Sequence, residues 1–264
     1  MKTLTLCADD FAQSPAISAG ILELLAARRL AATSVMSQSP HWPGLAESLQ
    51  GFARQADIGL HFNLTHPFDA SARPLSHWLL ASQLRRLSVP ELTDQCLRQL
   101  DRFSEAFGRL PDFIDGHQHV HALPQVRAAL FAAVAQRWPN GQRPYLRAPD
   151  RLGAAGDSRL KAWILRAVCA GFYREAQARG FACTPWFGGM YSLTPEADYP
   201  TLMQRWLTVC PDHSLMMCHP GHHADDPDDP IATARVAEFR YLASPAFAEH
   251  CQQQDIEIGR FLLK

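Results

Sequence analysis

Asp9-Asp10, His61 and the run Asp115-Gly116-His117-Gln118-His119-Val120-His121 are three groups of metal-capable side chains, each at or just past the end of a short apolar run. Imidazole nitrogens and carboxylate oxygens are common protein donors to divalent cations. None of the groups could hold an ion alone. Each sits where a buried strand would deliver a polar side chain to the rim of a sheet or barrel, which is where α/β enzymes keep their chemistry. Together they read as a divalent-metal hydrolase site assembled from strand ends.

Asp9-Asp10 follows Leu4-Thr5-Leu6-Cys7-Ala8 and closes a buried strand. Two adjacent carboxylates repel one another unless a cation or a proton separates their roles, so one can bind metal while its neighbour serves as a base. The plainer alternative is that Asp10 caps the next turn and Asp9 is a solvated loop residue. His61 lies in Asp57-Ile58-Gly59-Leu60-His61-Phe62-Asn63-Leu64-Thr65, whose apolar residues suggest a strand buried on both faces. A histidine there needs a partner, and the second histidine cluster favours a metal over a backbone carbonyl. His117, His119 and His121 would share a face if extended, whereas in a helix His117 and His121 would meet four residues apart. Either geometry presents imidazoles to a metal, which leaves open whether His119 or His121 replaces or assists His117.

Further along, Leu215-Met216-Met217-Cys218-His219-Pro220 supplies another strand followed by a histidine. His219 is placed to be a general acid, or simply to cap the turn before Pro220. Strand alternation points Cys218 away from the face His219 uses, so it is read as structural. Arg147 ends Tyr145-Leu146-Arg147 and could hold Asp9 ionised and oriented by a bidentate contact; a plain structural ion pair is the other reading. Trp186 and Phe187 beside Gly188-Gly189 could form a platform for a sugar ring, although such aromatics more often just pack.

The elements that must position these groups follow from pattern. Apolar runs at Thr3 to Ala8, Ala32 to Ser37, Ile58 to Leu64, Phe113 to Asp115, Tyr145 to Arg147, Ser214 to Cys218 and Ile256 to Leu262 read as strands. Between them, Ser14 to Ala27, Val89 to Phe107, Leu123 to Gln136, Ser158 to Arg179 and Tyr199 to Leu207 carry helical periodicity. Pro67 to Ser88 and the acidic Gly221 to Pro230 read as rim loops or short helices. The alternation predicts one α/β domain over residues 1–264, a parallel barrel-like sheet with outer helices, its strand count and closure undetermined.

At 264 residues and 47% hydrophobic the chain can bury a large core. A net charge of −1, with Lys and Arg scattered, gives no footprint for nucleic acid. The N-terminus meets Asp9-Asp10 too soon for a signal peptide or a transmembrane segment, so the expected location is the cytoplasm, with no membrane insertion. Seven cysteines with no C-x-x-C pair argue against disulfides and a Cys-type zinc site.

The strings Ala8-Asp9-Asp10-Phe11, Gly59-Leu60-His61-Phe62-Asn63-Leu64-Thr65, Asp115 to His121 and Met217-Cys218-His219-Pro220 together resemble the YdjC-like carbohydrate deacetylases. That family includes the chitooligosaccharide deacetylases and hopanoid-associated relatives. The resemblance covers nearly the whole chain, in the family order, with the closing Arg240-Tyr241-Leu242 to Phe261 segment also similar. It implies a variant (β/α) barrel, TIM-like and related to polysaccharide deacetylases. It also implies Asp10, His61 and His117 as metal ligands and Asp9 as catalytic base. It favours Mg²⁺, while two imidazoles and one carboxylate would suit Zn²⁺ or another transition metal better. The chain departs from the family in Ala12-Gln13, where a glycine is usual, and in Gln118, where the chitooligosaccharide enzymes often carry another histidine. The first bears on the turn and the second leaves the ligand set intact.

The implied activity is hydrolysis of an N-acetyl group on an amino sugar or oligosaccharide, with His219 protonating the leaving amine. A chitooligosaccharide, another acetylated amino sugar and a glycolipid head group are all open as substrates, and a homodimer is common among similar proteins. Two rivals use the same residues. A non-haem Fe(II) oxygenase would share the ligand set but is expected in an all-β setting, and a non-catalytic metal-dependent sugar-binding protein would need neither base nor acid.

Overall fold

Every strand pairing in the computed structural model is parallel, as the βα alternation requires. The structure describes residues 1–139, 142–154, 156–224 and 229–261. In chain order the elements are β1 (Lys2–Phe11), α1 (Pro15–Ala26), β2 (Ala32–Val35), α2 (Trp42–Gln50), β3 (Asp57–Phe62), α3 (Leu75–Gln83) and α4 (Val89–Phe107). Then come β4 (Phe113–Gly116), α5 (Pro124–Arg137), β5 (Tyr145–Leu146), α6 (Arg159–Val168), α7 (Phe172–Ala178) and β6 (Phe187–Gly188). The chain finishes with α8 (Tyr199–Val209), β7 (Ser214–Cys218), α9 (Ala232–Ala243), α10 (Pro245–Gln253) and β8 (Ile256–Ile258).

The sheet runs β5-β4-β3-β2-β1-β7-β6, with β8 paired to the start of β1. No ladder joins the two ends among the described residues; only the single bridges Leu146–Cys183 and Leu152–Phe187 approach across them. The strands therefore curl into a half-barrel, and the closed TIM-like ring of the sequence expectation is not seen. Because all strands point the same way, the C-terminal ends of β1, β3, β4, β5 and β7 share one edge. That edge carries Asp9, Asp10, His61, Asp115, Arg147 and His219.

Local signals explain several boundaries. The Ser14 side chain accepts from the Ile17 N–H ahead of Pro15, and Ser88 accepts from Glu91 ahead of Pro90. Helix α4 then stops at Gly108, whose φ of 82° makes the left-handed cap. The single helix expected over Ser158 to Arg179 is two helices, because Gly171 takes φ 83° between them. Helix α3 is a short helix within Pro67 to Ser88, one of the two alternatives for that stretch, whereas α2, α9 and α10 fall where the sequence pattern predicts no element. In α2 the Trp42-Pro43-Gly44 start looks like a turn, and in α9 the buried face carries Arg235 and Glu238, which breaks the apolar period. Leu262 and residues 225–228 of two expected segments lie outside the described residues.

All seven cysteines are buried and unpaired. Among the described residues no helix is long and apolar enough to cross a membrane.

Gly189, just past β6, has φ 91°, and a Cβ there would lie 2.1 Å from the Met217 carbonyl oxygen of β7. Gly189→Ala must therefore both strain the backbone and push the two strands apart. A loss of about 2 kcal/mol or more is expected in urea unfolding, and a variant as stable as the parent would show that this approach does not constrain the sheet.

Candidate active site

Strand alternation would normally send Asp9 and Asp10 to opposite faces. The register between β1 and β2 shifts between Ala8 and Phe11, and Asp10 takes φ 68°. That bulge turns both carboxylates into one cavity of about 510 Å³ at the sheet edge. Ala12, where the resemblance led us to expect glycine, has φ 71°, a left-handed turn that explains the family preference. Its N–H is held by the Ser18 hydroxyl.

Asp10, His61 and His117 come together as expected: one donor atom from each lies within 4.8 Å of the others. Asp10 Oδ1 is 3.2 Å from His61 Nε2 and 3.1 Å from His117 Nδ1. The other oxygen, Oδ2, accepts from Arg235 Nη2 at 2.8 Å, and Arg235 is itself paired with Asp229. Burial alone would raise the Asp10 pKa, but Arg235 and His117 outweigh it and hold the carboxyl well below its usual range. His61 directs its other nitrogen, Nδ1, at Asp115 (2.7 Å) and the Ser34 hydroxyl (2.9 Å), so Nε2 is aimed at Asp10.

Arg147 is fully buried and makes the bidentate contact with Asp9, Nη1 to Oδ2 and Nη2 to Oδ1, both at 2.6 Å. Its Nη2 also pairs with Asp115 at 2.5 Å. Burial opposes ionisation of Asp9, yet the Arg147 charge and hydrogen bonds overcome it and keep the carboxyl far below its usual range. His219 follows β7, with Nε2 3.9 Å from Asp9 Oδ2. Its backbone N–H donates to Glu238 Oε2 at 2.5 Å, and its ring Nδ1 is 3.9 Å from Oε1 of the same carboxylate. Burial works against the His219 charge, but Glu238 and Asp9 prevail and its pKa is raised, favouring the imidazolium that can donate a proton.

The three-histidine run forms neither the strand nor the α-helix weighed from sequence. It is a 3₁₀ turn over His117–Ala122, kinked by left-handed conformations at Gln118 (φ 52°) and His119 (φ 61°). The kink separates the rings. His117 reaches Asp10, while His119 lines the cavity edge-on to Phe187. His121 turns away, its Nε2 donating to the Arg147 carbonyl at 2.9 Å. Burial pushes His121 down to about 4, so it serves as a neutral brace. Trp186 and Phe187 do not line the cavity; Phe187 packs under the Arg147 guanidinium at 5.6 Å. Burial pushes the Cys218 thiol well up, consistent with a structural role.

Asp115, Ser34, Arg235 and Glu238 were missed as site residues. Asp115 opens the histidine motif, and Arg235 and Glu238 sit in α9, where the pattern predicts no helix. Their three-residue separation on one helix face was the only available signal.

The fold and site define a parallel α/β half-barrel with a metal-capable carboxylate–imidazole cluster beside an ionised Asp–His pair. A family model described as YdjC-like protein matches residues 3–253, and the chain belongs to that family. A chitooligosaccharide deacetylase of Serratia marcescens is 34% identical over 274 residues, 98% of each chain. A carbohydrate deacetylase of Mus musculus is 32% identical over 198 residues, covering 69% of this chain but only 57% of the mouse protein. Among solved structures, a candidate cellobiose-phosphate cleavage protein of Enterococcus faecalis superposes with a TM-score of 0.70 at 20% identity, covering 98% of this chain and 97% of that one. That likeness shows the fold alone.

Two outcomes are expected. Arg147→Met removes the bidentate cation of Asp9 and one of the two cationic partners of Asp115, and should cost about 3–5 kcal/mol in chemical unfolding; a loss under about 1 kcal/mol would mean the cluster does not depend on Arg147. His61 in the metal-free protein is raised to about 10, because Asp115, Asp9 and Asp10 outweigh the burial that opposes its charge. A raised pKa gives stability that is complete below the unfolded value of about 6.5 and lost as pH climbs through the folded one. With chelator present, Tm should therefore fall between about pH 7 and 10, and less steeply in His61→Asn; parallel slopes would remove His61 as the cause.

Proposed function

We propose that this chain is a metal-dependent hydrolase that removes an N-acetyl group from an amino sugar or oligosaccharide. The observation that carries the reading is one cavity holding the Asp10, His61 and His117 donors together with Asp9 and His219. The names of the Serratia and mouse relatives support the same class of reaction. In this reading residues 1–264 act as one deacetylase domain in the cytoplasm, on an N-acetylated sugar, with a homodimer as the assembly.

The donor set fits a divalent cation: two imidazole nitrogens and one ionised carboxylate, with the second carboxylate oxygen occupied by Arg235. Mg²⁺ is the ion the family resemblance favours, and the imidazoles suit Zn²⁺ or another transition metal. Held by Asp10, His61 and His117, such an ion would supply Lewis acidity for the acetamide carbonyl and for a water molecule.

Asp9 takes the proton from the attacking water. Arg147 fixes its two oxygens and keeps it ionised; Oδ1 also faces the Ser34 hydroxyl at 3.4 Å, so Oδ2 is the oxygen with a lone pair for that proton. His219, charged under the influence of Glu238 and Asp9, gives its proton to the sugar nitrogen as the C–N bond breaks, so acetate and a free amine leave. Asp9 and His219 are the proton-transfer residues, and Arg147 positions the base.

Acetate release from a panel of N-acetylated sugars, by metal-stripped protein with Mg²⁺, Zn²⁺, Mn²⁺ or Co²⁺ added back, tests the reading. Restored release supports it, and sugar binding without release under any metal sinks it. Within that assay Asp9→Asn should keep metal affinity within a few-fold yet lose about 10²-fold or more in kcat. His61→Ala and His117→Ala should lose metal and activity together. Equal metal loss in all three variants would contradict the division of roles.

A further inference from the structure

Among the described residues, five of the seven exposed large apolar side chains belong to two helical segments, Met1 and Val209 being the others. On α6, Leu160 and Trp163 are each 68% exposed and Ile164 is 40% exposed; on α3 and at its C-terminal cap, Leu80 and Leu84 are 64% and 50% exposed. Positions 160, 163 and 164 share one helix face, as do 80 and 84. Both helices also wall the active-site cavity, through Leu75 and Leu79 of α3 and Ile164, Leu165 and Val168 of α6. The apolar wall thus continues outward over the rim, and Ile164 belongs to both surfaces. An exposed apolar face of this kind marks a docking site.

Charge indicates what docks. Helix α6 carries Arg159, Lys161 and Arg166 and no carboxylate, and Arg85 and Arg86 follow the Leu84 cap of α3. All five are exposed. The chain as a whole has 25 basic and 26 acidic residues, so this rim is locally cationic on a nearly neutral protein. Asp157, just before α6, is already engaged with the Ser192 N–H and hydroxyl. Tryptophan and leucine interleaved with arginine and lysine is the pattern of a helix lying in the plane of an anionic bilayer surface. A second copy of the chain would have to bring the same positive face against itself across a two-fold axis.

We propose that the α3–α6 rim docks this protein onto an anionic phospholipid bilayer, with Leu160 and Trp163 entering the headgroup boundary and Arg85, Arg86, Arg159 and Arg166 facing the lipid phosphates, while Lys161 donates to the Ser192 carbonyl at the cavity mouth. The association is peripheral, and it opens the cavity toward the bilayer surface. It does not depend on the deacetylase reading.

Co-sedimentation of the full chain with vesicles of phosphatidylcholine, or of phosphatidylcholine with phosphatidylglycerol, tests it at low and high salt. Partitioning is expected only onto the mixed vesicles, weakened by salt, and at least about tenfold lower for the Leu160→Ser/Trp163→Ser double variant. Circular dichroism and turnover of a soluble substrate should be unchanged in that variant, since both positions are exposed and outside the site. Protein that stays in the supernatant with the mixed vesicles overturns the proposal, and so does sedimentation that persists in the double variant. A dimer in sedimentation velocity that the same two substitutions dissociate would assign the face to a second copy of the chain instead.

Discussion

Concentrated burial of charge is the constraint on which the rest of this structure depends. Asp9, Asp10, Asp115 and Glu238 are all nearly inaccessible to solvent. Burying each such carboxylate is costly unless cations or hydrogen-bond donors lie beside it. Arg147 and Arg235 supply two fixed positive charges, and His61 and His219, both with raised pKa values, supply two more in the metal-free protein. The cluster is balanced only when strands β1, β3, β4 and β5, the β7 end and helix α9 are all in place. Its geometry and the integrity of the half-barrel are therefore coupled.

Within that balance the two guanidinium groups divide the cavity floor. Arg147 sits between Asp9 and Asp115, so one cation orients the proposed base and also the carboxylate that steers His61. Arg235 occupies one oxygen of Asp10 and leaves the other facing the two histidines. Adjacent aspartates thereby acquire different electrostatic partners although they are neighbours in the chain. The bulge at the end of β1 makes this possible, because it aims both into the same cavity without exchanging their partners.

Four of the nine non-glycine residues with positive φ among the described residues lie at the same edge. Asp10, Ala12, Gln118 and His119 all hold left-handed conformations that cost residues other than glycine about 1–2 kcal/mol each. Two of them aim Asp10 and turn the chain into α1; the other two splay the histidine run so that only His117 reaches Asp10. Such conformations persist where surrounding structure over-determines them, and here the buried ion pairs and the parallel ladders do so.

Much was legible from residue order alone. Chemistry-bearing side chains at the ends of apolar runs pointed to Asp9, Asp10, His61, Arg147 and His219 as residues that meet, because parallel strands must deliver their C-terminal ends to one edge. The start of α4 was legible from Ser88 and Pro90, since a cap is a local hydrogen bond. Three things were decided only by tertiary structure. Which histidine of the run meets Asp10 depends on a kink at Gln118 and His119 that no periodicity encodes. Arg235 and Glu238 became partners of the site because α9 packs its charged face inward, which inverts the amphipathic rule used to read helices. Whether the sheet closes depends on the distance between β5 and β6, strands of two residues each whose pairing is non-local. Local chemistry is written in the sequence, whereas long-range charge matching and sheet closure arise only when distant segments are folded against one another.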